Sequence, residues 1–597
     1  MRMRIFSYLL VLIFIGCDEH TPPFEYISSA KTGIEFNNQI PDSDIINILT
    51  FEYIYNGGGV GTADFDHDGL MDLFFSGNLV DNKLYLNQGN FKFKDVSERA
   101  NISGNQKWCT GVSILDINQD DLPDIYVSVT SFNTNENPNN LLYIHQGLDD
   151  DGIPIFKEQA VQYGIEGAKH TMHAGFFDYD LDGDLDVYLL NNVLDIQSPT
   201  DYKIKQKDGN SRNADQLLRN NGNGTFTDVS KQTGIVIEGY GLGLAISDIN
   251  HDGYPDIYVA NDYITNDLLY INQKDGTFKN EISTYLQKQS KFSMGVSIAD
   301  FNNDKSQDIF VLDMLANSNE RLKRLNSSSN YVNIVNNKRF EYEEQNVRNM
   351  LQINQGNHFK EVGYSAGVFA SDWSWTPLVE DFDGDGDVDI YVTNGFPKDV
   401  TDLDFINFKA NRNMSANRQA ILNEIPVVKL QNLYFENKGN LQFENTTSRL
   451  GLNIPSFSNG AIAVDLDNDN DLDIVSNNIN DEAFVIRNNF NSENLIKVSF
   501  SSHQFIGTKL YAYSKNTTQF RELYPHKSYL SSGPLSLNLS LEVPLDSIVL
   551  LFPNGNKYSI VDDISSEMEI SEMNGNPFLY PITTSKFDKD TIQLQDT

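Results

Sequence analysis

One nine-residue pattern, D-x-[DN]-x-D-x-x-x-D, occurs seven times in this 597-residue chain. The copies present Asp64, Asp66, Asp68 and Asp72; Asp116, Asn118, Asp120 and Asp124; Asp178, Asp180, Asp182 and Asp186; and Asp248, Asn250, Asp252 and Asp256. They continue with Asp300, Asn302, Asp304 and Asp308; Asp381, Asp383, Asp385 and Asp389; and Asp465, Asp467, Asp469 and Asp473. Oxygen donors at alternating positions suit a hard cation. A tight loop turns positions 1, 3 and 5 inward, position 7 offers its carbonyl, and position 9 closes the shell. Calcium accepts six to eight oxygens at flexible geometry, whereas magnesium keeps its waters. Without a cation, clustered carboxylates repel one another. The expectation is up to seven structural Ca2+ ions, with the fifth loop weakest because it lacks glycine and carries Lys305.

The flanks say what positions these loops. Before each lies a small or apolar run (GVGTA, GVSIL, AGFF, GLAIS, GVSIA, TPLVE, GAIAV), and after each a β-rich run such as LFFSG, IYVSV or IYVTN. These read as strands A and B with the acidic loop as their hairpin turn. The β flanks and the lack of Glu at position 12 separate the loop from a helix–loop–helix calcium site. A strand C follows each pair, as in LYLNQG, LYINQK and LYFENK, and a strand D follows six of the seven, as in FKFKDVS and FKEVG. The seventh repeat lacks its D strand, and Phe24–Ser28 at the N-terminus supplies an equivalent. Four strands in seven repeats predict an all-β fold, a seven-bladed β-propeller whose N-terminal strand closes the ring, plus a small C-terminal β domain.

The loops are 52, 62, 70, 52, 81 and 84 residues apart. The extra length falls between strands B and C, at 193–215, 314–348 and 396–430. Loops at one position of a repeat emerge on one face, so three partly helical insertions should share the face opposite the acidic turns. Function concentrates in such loops, although they could equally pack the channel.

Arg2, Arg4 and the eleven-residue apolar run Ile5–Ile15 form a short export signal, too short to span a bilayer. It ends in Phe-Ile-Gly-Cys, which resembles a bacterial lipobox. That resemblance implies cleavage before Cys17, lipidation of its thiol and an outer-membrane lipoprotein facing the periplasm or the outside. Cys109 is then left without a disulfide partner. The domain reading is signal peptide 1–16, tether 17–23, propeller 24–490 with 24–35 closing the last blade, C-terminal β domain 491–565 and tail 566–597. A net charge of −39 argues against nucleic-acid binding. Twenty-five of the 83 acidic residues are loop ligand positions, so much of the acidity belongs to cation sites.

The loop with its flanking strands resembles the FG-GAP/VCBS repeats of integrin α-subunit propellers. FIGTKLYAY (505–513), RELYPHKSYLSSG (521–533) and SIVLLFPNGNKYSI (547–560) resemble the ASPIC/UnbV domain of the cartilage acidic protein family. Phe552-Pro553-Asn554-Gly555 stands where that family's Trp-Pro-Ser-Gly-like turn would be. Residues 36–65 and 372–386 look like its Bacteroidota lipoprotein branch. The resemblance implies calcium at the seven loops and extracellular binding of a glycan or protein, without naming the ligand.

Other constellations point to no chemistry. His170 and His173 have no third metal ligand spaced near them, Trp373 and Trp375 read as core, and 411–425 reads as a solvated lid helix. There is no G-x-S-x-G elbow and no phosphate-cradling glycine loop. The expectation is a non-enzymatic adhesion or ligand-binding module. A structural partner in an outer-membrane complex is the alternative, and a lyase or hydrolase working in the channel is a more remote one.

Overall fold

The computed structural model describes residues 22–577 apart from 134, 136, 137, 195–199, 326–330, 411–417, 491–494, 516, 527, 541–544, 562, 563, 574 and 575. The export signal, Cys17, most of the tail and the first half of the lid segment lie outside the described residues.

The fold is all-β, with short helical turns. Seven antiparallel four-stranded sheets follow the repeats in order. Sheet I comprises Val60–Ala63, Asp72–Phe75, Lys83–Asn87 and Phe93–Asp95 as strands A to D. The A strands of sheets II to VII are Trp108–Leu115, Thr171–Phe177, Gly241–Ser247, Val296–Ala299, Ser374–Glu380 and Ser458–Val464. In sheet VII the outer strand is Phe24–Ile27, whose register runs from Phe24 opposite Asn488 to Ile27 opposite Val485. Each A strand packs against the A strand of the next sheet, and that of sheet VII packs against that of sheet I. Small residues permit this approach: a Cβ at Gly295 would lie 2.0 Å from the Trp375 carbonyl oxygen.

The middle of this array is solid. From one side, the segment before sheet I lays Ile40, Ile48, Phe51, Ile54 and Tyr55 into the same apolar cluster as Trp108, Met172 and Trp375. Asn38 and Asn78 exchange two hydrogen bonds of 2.9 Å, and the Tyr53 hydroxyl donates to Asp262 at 3.2 Å. Trp373 stacks on Phe396 at 4.0 Å, so both tryptophans at sheet VI are core.

From the other side comes a plug, Leu523–Gly533. Val112 N–H donates to Leu530 O at 2.9 Å, Ser532 N–H to Val60 O at 2.9 Å, and Thr62 N–H to Ser532 O at 3.2 Å. The plug thus extends the backbone bonding of strands A in sheets I and II. Leu530 is 0% exposed, and the Tyr529 ring lies 5.4 Å from Trp375. A Cβ at Gly59 would fall 1.7 Å from Leu530 O, so only glycine fits beside the plug.

The plug belongs to a C-terminal unit of two sheets. Leu495–Phe500 pairs with Ser536–Ser540 and, in parallel, with Glu567–Ile570. Lys509–Ser514 lies between Thr518–Glu522 and Leu545–Leu551, with Asn556–Ile560 beyond. The sequence boundary at 565 therefore needs correction. Glu567–Ile570, read there as tail, is a strand whose alternating acidic and apolar residues put Ile570 into the core.

The plug also buries histidine. His173, on strand A of sheet III, has neither ring nitrogen hydrogen-bonded, and His526, on the plug, leaves Nε2 without a partner. Burial pushes both down to about 3. Each is neutral when folded and protonates near 6.5 when unfolded. The stability is therefore present above pH 6.5 and is lost as pH falls toward 3. Each should withdraw about 2 kcal/mol between pH 7 and 5. Urea titrations at those two pH values should show a shallower acid limb in His173→Leu/His526→Leu than in wild type; equal slopes would refute the assignment.

Candidate metal centres

The acidic loops share one backbone. Position 4 is left-handed in every copy: His67, Gln119, Leu181, His251, Asn303, Gly384 and Asn468 have φ between 56° and 77°. So is position 6: Gly69, Asp121, Gly183, Gly253, Lys305, Gly386 and Asn470 have φ between 64° and 98°. Glycine at position 6 adopts this at no steric cost, whereas Lys305 takes it at about 1 kcal/mol.

These turns aim backbone N–H groups at the first aspartate. Asp64 accepts from Asp68 N–H at 3.1 Å and Gly69 N–H at 2.9 Å, and the pattern recurs in loops II, III, IV, V and VII. Loop VI differs by one residue, with Asp381 accepting from Gly384 and Gly386. Position 5 accepts from position 7, as Asp68 does from Leu70 at 2.9 Å.

Position 9 behaves differently. Asp72 accepts from Asn87 N–H at 2.7 Å with one oxygen and from Phe65 N–H at 2.9 Å with the other. Asp124, Asp186, Asp256, Asp308 and Asp473 do the same, and Asp389 replaces the loop bond with the Tyr434 hydroxyl at 2.5 Å. This aspartate is the pin joining loop to strand C, and it is at most 1% exposed in all seven copies.

Donor atoms converge in four loops. Oxygens of Asp64, Asp66 and Asp72, of Asp178, Asp180 and Asp186, of Asp381, Asp383 and Asp385, and of Asp465, Asp467 and Asp469 lie within 4.8 Å of one another. Asp68 and Asp182 stand outside the first two groups, and Asp389 and Asp473 outside the last two. In loops II, IV and V position 3 is Asn, and Asp116, Asp120 and Asp124, or Asp248, Asp252 and Asp256, or Asp300, Asp304 and Asp308, form no such carboxylate group among the described residues. Asn118 and Asn302 donate to Asp120 at 2.9 Å and Asp304 at 3.0 Å, and Asn250 accepts from Asp252 N–H at 3.1 Å.

The residues fit a hard cation. Buried Oδ1 atoms of Asp66, Asp180 and Asp467 have no hydrogen-bond partner, and a buried charged oxygen is costly unless something compensates it. Burial first, and neighbouring carboxylates next, push Asp467 up to about 6. Burial chiefly, opposed by backbone donors and reinforced by the other carboxylates, raises Asp178 to about 7 and Asp186 to about 9. A divalent ion would supply the compensation these oxygens lack.

Two sets of contacts were not read from sequence. The Asn closing strand C reaches across to the preceding sheet. Asn87 donates to Leu466 O at 2.9 Å, Asn272 to Tyr179 O at 2.8 Å, Asn354 to Ile249 O at 3.0 Å, Asn437 to Phe301 O at 3.4 Å, and Asn488 to Phe382 O at 2.8 Å. Each acceptor is position 2 of the preceding loop, so five of the seven junctions are tied in this way; the corresponding residue of sheet II is His145, and Asn220 of sheet III bonds Leu185 O of its own loop at 3.2 Å. The recurring N of LYLN, LYIN, LQIN and LYFEN was the visible signal. The second set comes from the C-terminal unit. Lys497 pairs with Asp465 at 3.0 Å, Lys509 pairs with Asp248, and the Ser540 hydroxyl donates to Asp381. These are the first aspartates of loops VII, IV and VI. The unit thus sits on the loop side and stands off loops I to III, leaving a polar cleft of 560 Å³ bordered by His67, Gln119, Gly183 and His503.

His170 and His173 do not converge on a metal. His170 Nδ1 meets Thr130 and Ser131, while His173 is core. Cys109 is buried and unpaired.

The FG-GAP-like repeat family matches residues 50–127, 208–259 and 248–311, which contain loops I, II, IV and V. Cartilage acidic protein 1 of Xenopus tropicalis is 28% identical over 191 residues, 30% of this chain. The chain spans a quarter of that relative's length, 25%. Among solved structures, an Agrocybe aegerita lectin that recognises non-reducing terminal N-acetylglucosamine aligns over 81% of this chain and 98% of its own at 13% identity and a TM-score of 0.34. The V. cholerae biofilm matrix protein Bap1 aligns over 89% and 75% at 12% identity and a TM-score of 0.25. The chain thus carries FG-GAP-like repeats, matched in sequence at loops I, II, IV and V, and the same loop backbone recurs in the other three.

Proposed function

We propose that the chain is a calcium-loaded, seven-bladed β-propeller that acts as an extracytoplasmic adhesion or ligand-binding module. It would be anchored through Cys17 and rigidified by a C-terminal domain of the ASPIC/UnbV kind. The observation that carries the reading is the loop array: seven acidic turns of one backbone, with orphaned carboxylate oxygens in three of the four that converge. In the loops, positions 1 and 3 would hold the ion together with position 9 in loops I and III and position 5 in loops VI and VII, and Asn stands at position 3 in loops II, IV and V. Calcium there supplies charge compensation. The chain's own residues do the rest: position 1 gathers the backbone N–H groups, position 9 pins strand C, and the Asn of strand C ties five of the loops to the sheet that follows. The opposite face is thereby preorganised, which reduces the ordering cost of binding. The filled channel supports a binding role over a lyase or hydrolase working at its centre.

The test is metal content by mass spectrometry on the exported chain, joined to retention on immobilised glycans and matrix proteins with calcium and with EGTA. The expected result is close to seven calcium ions per chain and a retained ligand that EGTA releases. A metal-free chain, or retention indifferent to EGTA, would overturn the reading.

A further inference from the structure

The three insertions, 193–215, 314–348 and 396–430, differ in charge from the rest of the chain. They hold 15 of its 44 Lys and Arg but only 12 of its 83 Asp and Glu, so a chain of net charge −39 carries a slightly basic surface there. Several of these cations are committed to structure: Arg321 bridges Asp372 at 2.8 Å and Asp399 at 2.9 Å, and Arg324 holds Asp402 at 2.8 Å.

Others are not. A pocket of 260 Å³ lies between the first two insertions, lined by Tyr202, Lys291, Asn333, Asn337, Lys338 and Asn346 among others. Lys338 of the second insertion, and Lys291 from the segment before strand A of sheet V, are held in no ion pair among the described residues; the Lys291 ammonium lies 5.0 Å over the Phe292 ring, and Glu344 is the pocket's one acidic lining residue. The helix Tyr331–Arg339 supplies Asn333, Asn337 and Lys338. Tyr202 is fixed in place: its ring stacks on Phe340 at 5.7 Å, and its hydroxyl donates to Asn337 Oδ1 at 2.8 Å. The volume is just below the roughly 300 Å³ where drug-sized sites begin, which suits one or two small rings.

We propose that this pocket binds a saccharide bearing a carboxylate. The assignment rests on the ligand-binding reading above and names its ligand class. A held aromatic ring offers a flat apolar face to the C–H face of a pyranose at low entropic cost. Carboxamides match hydroxyls in both donor and acceptor roles. The two ammonium groups supply charge-assisted bonds to a carboxylate. An extended peptide would instead use a free strand edge or a long apolar groove, and the pocket provides neither.

The experiment is calorimetric titration of the calcium-saturated chain with trigalacturonate, its methyl ester and triglutamate. Trigalacturonate should bind. The ester, which keeps the rings and loses the charge, should bind at least tenfold more weakly, and triglutamate, which keeps the charge and loses the rings, should not bind. Lys338→Gln and Lys291→Gln should each weaken trigalacturonate roughly tenfold, the loss expected for one charge-assisted bond, with unchanged melting. Tyr202→Ala should remove binding. Equal binding of the ester, binding of triglutamate, or indifference to both lysine variants would overturn the assignment. Failure here alongside EGTA-sensitive retention of another ligand would leave the adhesion reading standing; loss of both would remove the two together.

Discussion

Chelating calcium should lower the unfolding midpoint of the chain by on the order of 20 °C. A ligand at a hundred times its Kd stabilises by about 2.7 kcal/mol per site. Seven such loops, in a β body whose unfolding entropy is roughly 1 kcal/mol/K, give a shift of that size. The effect should be cooperative across the five tied junctions, because there the Asn of strand C bonds the preceding loop and loosening one sheet frees a carbonyl in the loop before it. Replacing Asp383 and Asp385 with Asn should therefore lower the midpoint by at least the roughly 3 °C of a single site. The measurement is a thermal melt followed by circular dichroism, in calcium and in EGTA. Superimposable melts would remove the structural role given to the ion. So would wild-type melting in the double variant.

The four-strand repeat was readable because local chemistry specifies it. Val, Ile and Tyr bounded by Gly, Asn and Asp mark strands wherever they occur, and the acidic pattern marks the A–B turn. Even the left-handed positions 4 and 6 leave a trace, in the Gly, Asn and His residues that occupy most of them. What stayed hidden depends on partners distant in sequence. Nothing near Asn488 says that it bonds Phe382 O, 106 residues away. Nothing near Lys509 says that it will sit on Asp248: the lysine looks like a solvated surface charge, and the aspartate reads only as a loop ligand, until the C-terminal unit is docked. Position 9 has two tasks that the residue type does not separate: its oxygens accept from backbone N–H groups, and in loops I and III an oxygen of Asp72 or Asp186 also lies among the donors of positions 1 and 3. Glu567–Ile570 was missed for a related reason. It pairs in parallel with Leu495–Phe500, and a parallel partner needs no local turn to announce it.

The plug makes the strongest structural prediction. His-Lys-Ser-Tyr-Leu-Ser-Ser-Gly looks like an exposed polar turn, yet Leu530 and Tyr529 are buried against the inner strands. A plug bonded to sheets I and II, with its Ser528 hydroxyl on Ala461 O of sheet VII at 2.9 Å, braces the very place where the last sheet meets the first. Ring and C-terminal unit should therefore unfold in one transition. Leu530→Ala should cost about 2–5 kcal/mol, the range for deleting a buried leucine whose site cannot collapse. Leu530→Asp should do more, since a carboxylate there has no cation to meet. It should split the calorimetric endotherm into two, the C-terminal unit melting first. Lys509→Met provides an independent route to the same state, because it leaves Asp248 buried without its partner at a cost of about 3–5 kcal/mol. Saturating calcium should blunt that loss if the ion takes over the charge of Asp248. A single endotherm at the wild-type temperature in Leu530→Asp would mean that the plug only fills space and that the array closes without it.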